Sequence, residues 1–134
     1  MSQENVERVR EAVETFNGGD FDAVLDLLHP DIEWQTPDLF PEAGTYRGPE
    51  GVREFFRTWV DTFRGFRLHL ERCDPVDERR VLGVLRVSGE GAGSGAAVES
   101  PLFFQLFEFR DGKLIRTRMF PTESEALEAA SPVH

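Results

Sequence analysis

Apolar residues recur first at helical spacing and then at a period of two, and that change divides the chain into helices followed by strands. Val6, Val9, Ala12, Val13 and Phe16 fall on one face of a helix predicted over residues 2–17, with Ser2 as its N-cap. The turn NGGD breaks that helix, and Asp20 caps a second, short one carrying Phe21, Val24, Leu25 and Leu28 on one side up to HPD. DIEWQTPD then alternates, with Ile32, Trp34 and Thr36 on one face, and Pro37 ends the strand. LFPEAGTYRG reads as a loop. Pro49 sits in the first turn of a third helix, whose wide stripe of Val52, Phe55, Phe56, Trp59, Val60 and Phe63 must be covered.

From Gly65 onward the alternating runs 66–73, 79–88, 97–109 and 113–120 are separated by DPVDE, GEGAGSG and RDG, which predicts a four-stranded antiparallel meander. Thr122 and Glu125 form a capping box for a last helix, and 131–134 is expected to fray. Helices first and a curled sheet second make an α+β fold in one domain over 1–130, with the helices on one face of the sheet.

The turn FRDGKL decides which way Arg116 and Arg118 point. A two-residue type I′ turn at Asp111-Gly112 pairs Phe109 with Leu114 and sets the arginines beside Phe107 and Gln105. A three-residue turn with Gly112 as a bulge pairs Phe109 with Lys113. It places Phe103, Gln105, Phe107 and Phe109 with Ile115, Thr117 and Met119, and Glu108 with Leu114, Arg116, Arg118 and Phe120. Burying two guanidinium groups among phenylalanines costs several kcal/mol per charge, roughly, so the bulged register is favoured and the arginines are expected outside. Its mixed outer face, with Leu102, Phe104, Leu106, Leu114 and Phe120, is expected to be covered by a second copy in a homodimer.

A chain of 134 residues suffices for one sizeable core. Its net charge of -10, with no basic stripe, argues against nucleic acid and anionic membrane surfaces as partners. A single cysteine, Cys73, and an amino terminus without an apolar leader lead to the expectation of a cytoplasmic protein. His29, His69 and His134 stand at no metal-ligand spacing, GEGAGSG lacks the lysine and helix of a phosphate loop, and no nucleophile elbow is present. No metal and no cofactor are expected.

The chemistry then falls to the inner face of the sheet opposite the third helix. Trp34, Thr36, Trp59, Phe63, Phe103, Gln105, Thr117 and Met119 are the candidate lining of a pocket, with Asp38, Phe40 and Tyr46 on a loop over its mouth. Aromatic walls with few polar groups suit a small apolar or weakly polar metabolite, oriented by Gln105 and Thr117. Asp38 and Glu99 are the candidate acid or base residues. Glu99 shares strand parity with Phe103 and Gln105, and burial would raise its pKa.

FNGGDFDAVLDLLHPDIEW, YRGPEGVREFF and FEFRDGKLIRTRMF together resemble the nuclear-transport-factor-two-like superfamily in its SnoaL-like branch, over roughly residues 3–128. The resemblance implies a cone-shaped α+β barrel of cystatin-like topology, a fold that hosts isomerases, cyclases, hydrolases and binding domains. By that resemblance Ala12, Thr36 and Gln105 stand where ketosteroid isomerases carry a tyrosine and two aspartates, and Met119 where SnoaL cyclases carry an aspartate. For the Asp, Arg, Asp set of an epoxide-hydrolase branch, Asp38, Arg86 and Glu99 are the available substitutes. The expectation is therefore a SnoaL-like binding protein with catalysis unproven. The alternative is a cofactor-independent isomerase, cyclase or hydrolase of a polyketide- or steroid-like substrate, with Asp38 or Glu99 as acid or base.

Overall fold

The computed structural model describes residues 2–36, 44–91 and 95–130, leaving aside the side chains of Ser2 and Thr62. Helix α1 (Ser2–Asn17) turns at Gly18 and Gly19 into α2 (Phe21–Leu25), and Asp20 accepts a hydrogen bond from Ala23 N at 3.1 Å, as its position as N-cap requires. Strand β1 (Leu28–Thr36) starts earlier than its alternating pattern indicates, because Leu28 is taken out of α2 to pair with Leu114. A short strand β2 (Gly44–Arg47), read from the sequence as loop, pairs antiparallel with β1. Helix α3 (Gly48–Thr62) follows, with Pro49 in its first turn where no N–H is needed.

Strands β3 (Phe63–Pro75), β4 (Arg80–Gly91), β6 (Phe103–Arg110) and β7 (Lys113–Phe120) form the expected antiparallel meander. The run predicted as one strand over 97–109 is two, because β5 (Ala97–Glu99) ends at Ser100-Pro101. The full sheet has the order β2-β1-β7-β6-β4-β3, with β5 on β4 and a parallel β1–β7 pair joining the amino-terminal strands to the meander.

Two layers pack on this sheet, where the sequence led to one. The inner face meets α1 and α3 through aromatic rings: Phe56 lies 5.0 Å from Phe16 and 5.4 Å from Trp34, centroid to centroid, both nearly edge-on. On the outer face, α4 (Glu123–Ala130) packs across β6 and β7, and the outward-facing Leu82 and Leu106, opposite each other in register, are buried. The capping box forms as expected, Glu125 N donating to Thr122 Oγ1 at 3.2 Å and Thr122 Oγ1 to Glu125 at 2.9 Å. Arg72 holds the start of α4 through Glu123 at 3.0 Å.

The β6–β7 hairpin corrects the favoured register. Asp111 (φ 52°) and Gly112 (φ 77°) make the two-residue turn, and Phe109 pairs with Leu114. A bulge then inserts Ile115, so Glu108 faces Arg116, Phe107 faces Thr117 and Gln105 faces Met119. The arginines are outside, as expected, but the bulge that puts them there lies at Ile115 and not at Gly112. Leu114 consequently points inward and Ile115 is the residue left over, the reverse of the reading from the sequence. Outside, Arg118 reaches the Ala129 carbonyl of α4 at 3.5 Å and lies over Phe120. Burial and the neighbouring Arg116 lower its pKa below the usual guanidinium value.

Candidate functional site

A cavity of about 180 Å³ lies between α1, α3 and the inner face of the sheet. The apolar faces of both helices point into it: Val9, Ala12, Val13 and Phe16 from α1, Phe55, Phe56 and Trp59 from α3. The sheet contributes Trp34, Leu85, Phe103, Gln105, Phe107 and Met119. Gly83 faces inward beneath them, and a Cβ there would come within 2.9 Å of the Phe107 ring, so glycine sets how deep that ring lies. For scale, a cavity of about 150 Å³ accepts benzene, so this one has room for one or two rings.

The charged lining residues, Arg8 and Glu11, sit at one exposed end. There the Arg8 guanidinium lies 3.6 Å from where a Gly112 Cβ would stand, and Leu114 N bonds Leu27 O at 3.0 Å, bringing α1, the end of α2 and the β6–β7 turn together. Arg8 is held by Asn5 Oδ1 at 2.6 Å and Glu4 at 3.6 Å. The deep part carries no charge, and among its aromatic and aliphatic walls Gln105 is a polar side chain.

Of the candidates read from the sequence, Trp34, Trp59, Phe103, Gln105 and Met119 line this cavity together. Thr117 is 0% exposed, opposite Trp34 on β1 and Phe107 on β6. Three others are elsewhere. Thr36 ends β1, where its Oγ1 accepts from Gly44 N at 3.0 Å; Tyr46 packs on Phe55 from β2, centroids 5.0 Å apart; and Phe63, at the α3–β3 junction, stacks on the far side of Trp59 and borders a separate surface groove. Asp38 and Phe40 lie outside the described residues.

Glu99 requires a correction. It is on the outer face, its side chain 64% exposed and 3.2 Å from Arg86, which also binds Glu71 at 2.6 Å. The parity argument fails because Leu85 to Ser88 is three steps on β4 while their partners, Phe103 to Glu99, are four steps apart. The extra residue at Ser100–Leu102 turns Glu99 to the opposite side of the sheet from Gln105. Residues missed by the sequence reading, Val9, Phe16, Phe56, Leu85 and Phe107 among them, were legible as the inward stripes of α1 and α3 and the inward parity of β4 and β6.

Cys73 is buried, and desolvation pushes its thiol up to about 11, which makes it a packing residue and not a nucleophile at neutral pH. His69 Nε2 meets Ser88 Oγ at 2.7 Å on the outer face. Among the described residues no three His, Cys, Asp or Glu side chains come together as a metal site, and no helix is long and apolar enough to cross a membrane.

A curved sheet closed by helices around an apolar pocket defines the chain as a cone-shaped α+β barrel of the NTF2-like kind. The model of the SnoaL-like domain family matches residues 9–117, and the chain belongs to that family. Among solved structures it is similar to Bal32a from a soil-derived mobile gene cassette, at 27% identity over 96% of both chains with a TM-score of 0.79. It is also similar to an NTF2-like protein from Burkholderia thailandensis, at 26% identity over 95% of this chain and 97% of the other, TM-score 0.76. A putative SnoaL-like polyketide cyclase from Jannaschia shares the fold, at 22% identity over 98% of this chain and 95% of the other, TM-score 0.75. Among curated proteins none matches the chain in sequence.

Proposed function

We propose that this chain is a small-molecule-binding protein whose cone holds an apolar or weakly polar metabolite without a cofactor. One observation carries the reading: helices and sheet leave an apolar cavity of about 180 Å³ where core side chains would otherwise close-pack. Trp34, Trp59, Phe103 and Met119 supply contact area and Gln105 orients the ligand, while Thr117, fully buried behind this wall, is left a packing role. One- and two-ring neutral compounds, screened beside small carboxylates and phosphates, test this in a thermal melt. Ligand at about a hundred times its Kd adds about 2.7 kcal/mol, which raises Tm by roughly 5–10 °C for a domain of this size. Stabilisation by neutral rings is expected, and its loss in Ala12→Phe, which fills the cavity from α1. Stabilisation by anions alone would refute the reading.

The protein is proposed to work in the cytoplasm as a homodimer through the outer face of the sheet. With Leu106 covered by α4 and Leu114 turned inward, the support is the remaining apolar surface: Phe104 and Phe120, opposite each other and half-buried, with Leu102 exposed beside them. Light scattering at micromolar concentration is expected to give twice the chain mass for the wild type and the chain mass for Phe120→Asp. A monomeric wild type would sink the proposal.

A further inference from the structure

Building on the reading of the cone as a ligand site, we infer that its ligand is an aromatic acid whose ring fills the apolar cavity while Arg8 holds its carboxylate at the rim. The cavity is apolar at depth and opens where Arg8 and Glu11 line it. Arg8 stands one turn before Ala12 on α1, so its stem lies on the same wall. Its side chain is 35% exposed, and its guanidinium reaches across to Gly112, itself a lining residue, where Nη2 comes within 3.6 Å of the place a Cβ would take. A buried amide fixes it there. Asn5, 3% exposed, donates from Nδ2 to Glu78 O in the β3–β4 connection at 2.9 Å and accepts from Arg8 Nη1 at 2.6 Å.

A long cationic side chain at a surface usually keeps its rotamer freedom, and an asparagine taken out of water is costly unless it is bonded. Asn5 has both ends of its amide bonded and uses one of them to order Arg8. Because Asn5 is neutral, it orients the guanidinium without neutralising it. The paired carboxylate, Glu4, is 62% exposed and 3.6 Å away, too far for a hydrogen bond, and such a pair holds weakly in water. Glu11 is exposed, where solvent and salt weaken its repulsion. The guanidinium therefore keeps a planar fork of N–H groups, which a carboxylate meets with two parallel hydrogen bonds. Position decides the rest of the ligand. At the rim a carboxylate keeps part of its hydration, whereas deeper among the rings it would be desolvated without a partner. The acid must then stand at one end of the molecule, and what enters the cone is apolar, as the reading of the cavity requires. A small acid without a ring would leave the cavity empty, and a neutral ring would leave the fork to water.

Calorimetry with 2-naphthoate, 2-naphthamide and acetate tests this at physiological salt, where the repulsion of a chain of net charge -10 is screened. Naphthoate and naphthamide have the same shape and differ in charge. The wild type is expected to bind naphthoate about tenfold or more tightly than naphthamide, and acetate not measurably. Arg8→Met, which keeps an unbranched stem, is expected to bring naphthoate to within about threefold of naphthamide while changing naphthamide by less than about threefold. Asn5→Ala, measured where its melt shows it folded, is expected to narrow the preference in the same way and to leave naphthamide affinity as in the wild type, which a merely structural role would not do. Equal affinity for the two naphthalenes, or an Arg8→Met variant that still prefers the acid about tenfold, would overturn the role of Arg8 while the binding cavity stands. Failure of both naphthalenes to bind would overturn the cavity reading and the inference with it.

Discussion

Phe56→Ala is expected to lower stability by about 3–5 kcal/mol, measured by urea unfolding, and to drop Tm by more than ten degrees, roughly. The size follows from where the ring sits. Phe56 is buried on the inner stripe of α3 and meets Phe16 of α1, Phe21 of α2 and Trp34 of β1 at 5.0, 6.3 and 5.4 Å between centroids. With Phe16, which meets Phe21, Phe56 and Phe66, it is one of two rings through which three helices and the sheet touch. Its truncation also joins the lost volume to the existing cavity, so the neighbours have less reason to collapse into the gap. Against a total stability of about 5–15 kcal/mol for a domain, that loss leaves a marginal fold. Phe63→Ala is the control. Phe63 stacks on Trp59 at 5.8 Å and Phe66 at 6.0 Å but is half-exposed at the helix end, and its loss is expected to cost on the order of 1 kcal/mol. Equal losses at the two positions would show that the ring cluster, and not Phe56 as its hub, carries the packing.

Local chemistry made most of the fold legible. The change of apolar period near Gly65 separates helices from sheet, Asp20 and Thr122 announce their caps, and Asp111-Gly112 announces its hairpin. What stayed hidden is long-range. The parallel pairing of Trp34 with Thr117 joins strands more than eighty positions apart, and neither strand carries a local sign of its partner. The four-residue β2 is too short for its period to be read. The bulge at Ile115 has no glycine to mark it, whereas Gly112, three positions earlier, offered a recognised bulge position once the cost of burying the arginines called for one.

The pocket was legible to the same depth. Trp34, Phe103, Gln105 and Met119 were found because a strand's parity fixes its face as long as the strand is unbroken. Glu99 was misplaced because the parity was carried through Ser100-Pro101, although proline there is a sign that the ladder is interrupted. Ser100 in fact completes the edge, its N–H bonding Val87 O and its Oγ accepting from Val87 N, both at 2.9 Å. One inserted residue thus moves a carboxylate from one face of the sheet to the other, which is why the deep end of the cavity is uncharged. Which buried polar atoms lack a partner, as at Trp34 and Gln105, depends on neighbours distant in sequence, and only the assembled structure reveals it.

The outer face offers the second large effect. Ala126→Glu is expected to release α4 while leaving the barrel folded. Ala126 is 0% exposed against the sheet, and a carboxylate at that position would be buried without a partner, at a cost of several kcal/mol, roughly. An eight-residue helix has little stability of its own, so α4 persists only while it is docked. The docking rests on Ala126, Ala130, the Arg72–Glu123 pair and the Arg118 bond to Ala129, none of which the barrel needs in order to close. Undocking therefore limits the damage: the variant escapes the buried charge by losing the helix, and the loss of global stability stops at the free energy of docking. Hydrogen exchange is expected to show protection in residues 123–130 falling by about 100-fold, for a docking energy of about 3 kcal/mol, while amides in β6 and β7 keep theirs. Leu82 and Leu106 would then be exposed, so increased dye binding and self-association should accompany the change. Leu127→Glu, on the solvent side of the same helix, is expected to do neither. Protection lost equally in α4 and across the sheet would mean that the barrel and its last helix fold as one unit.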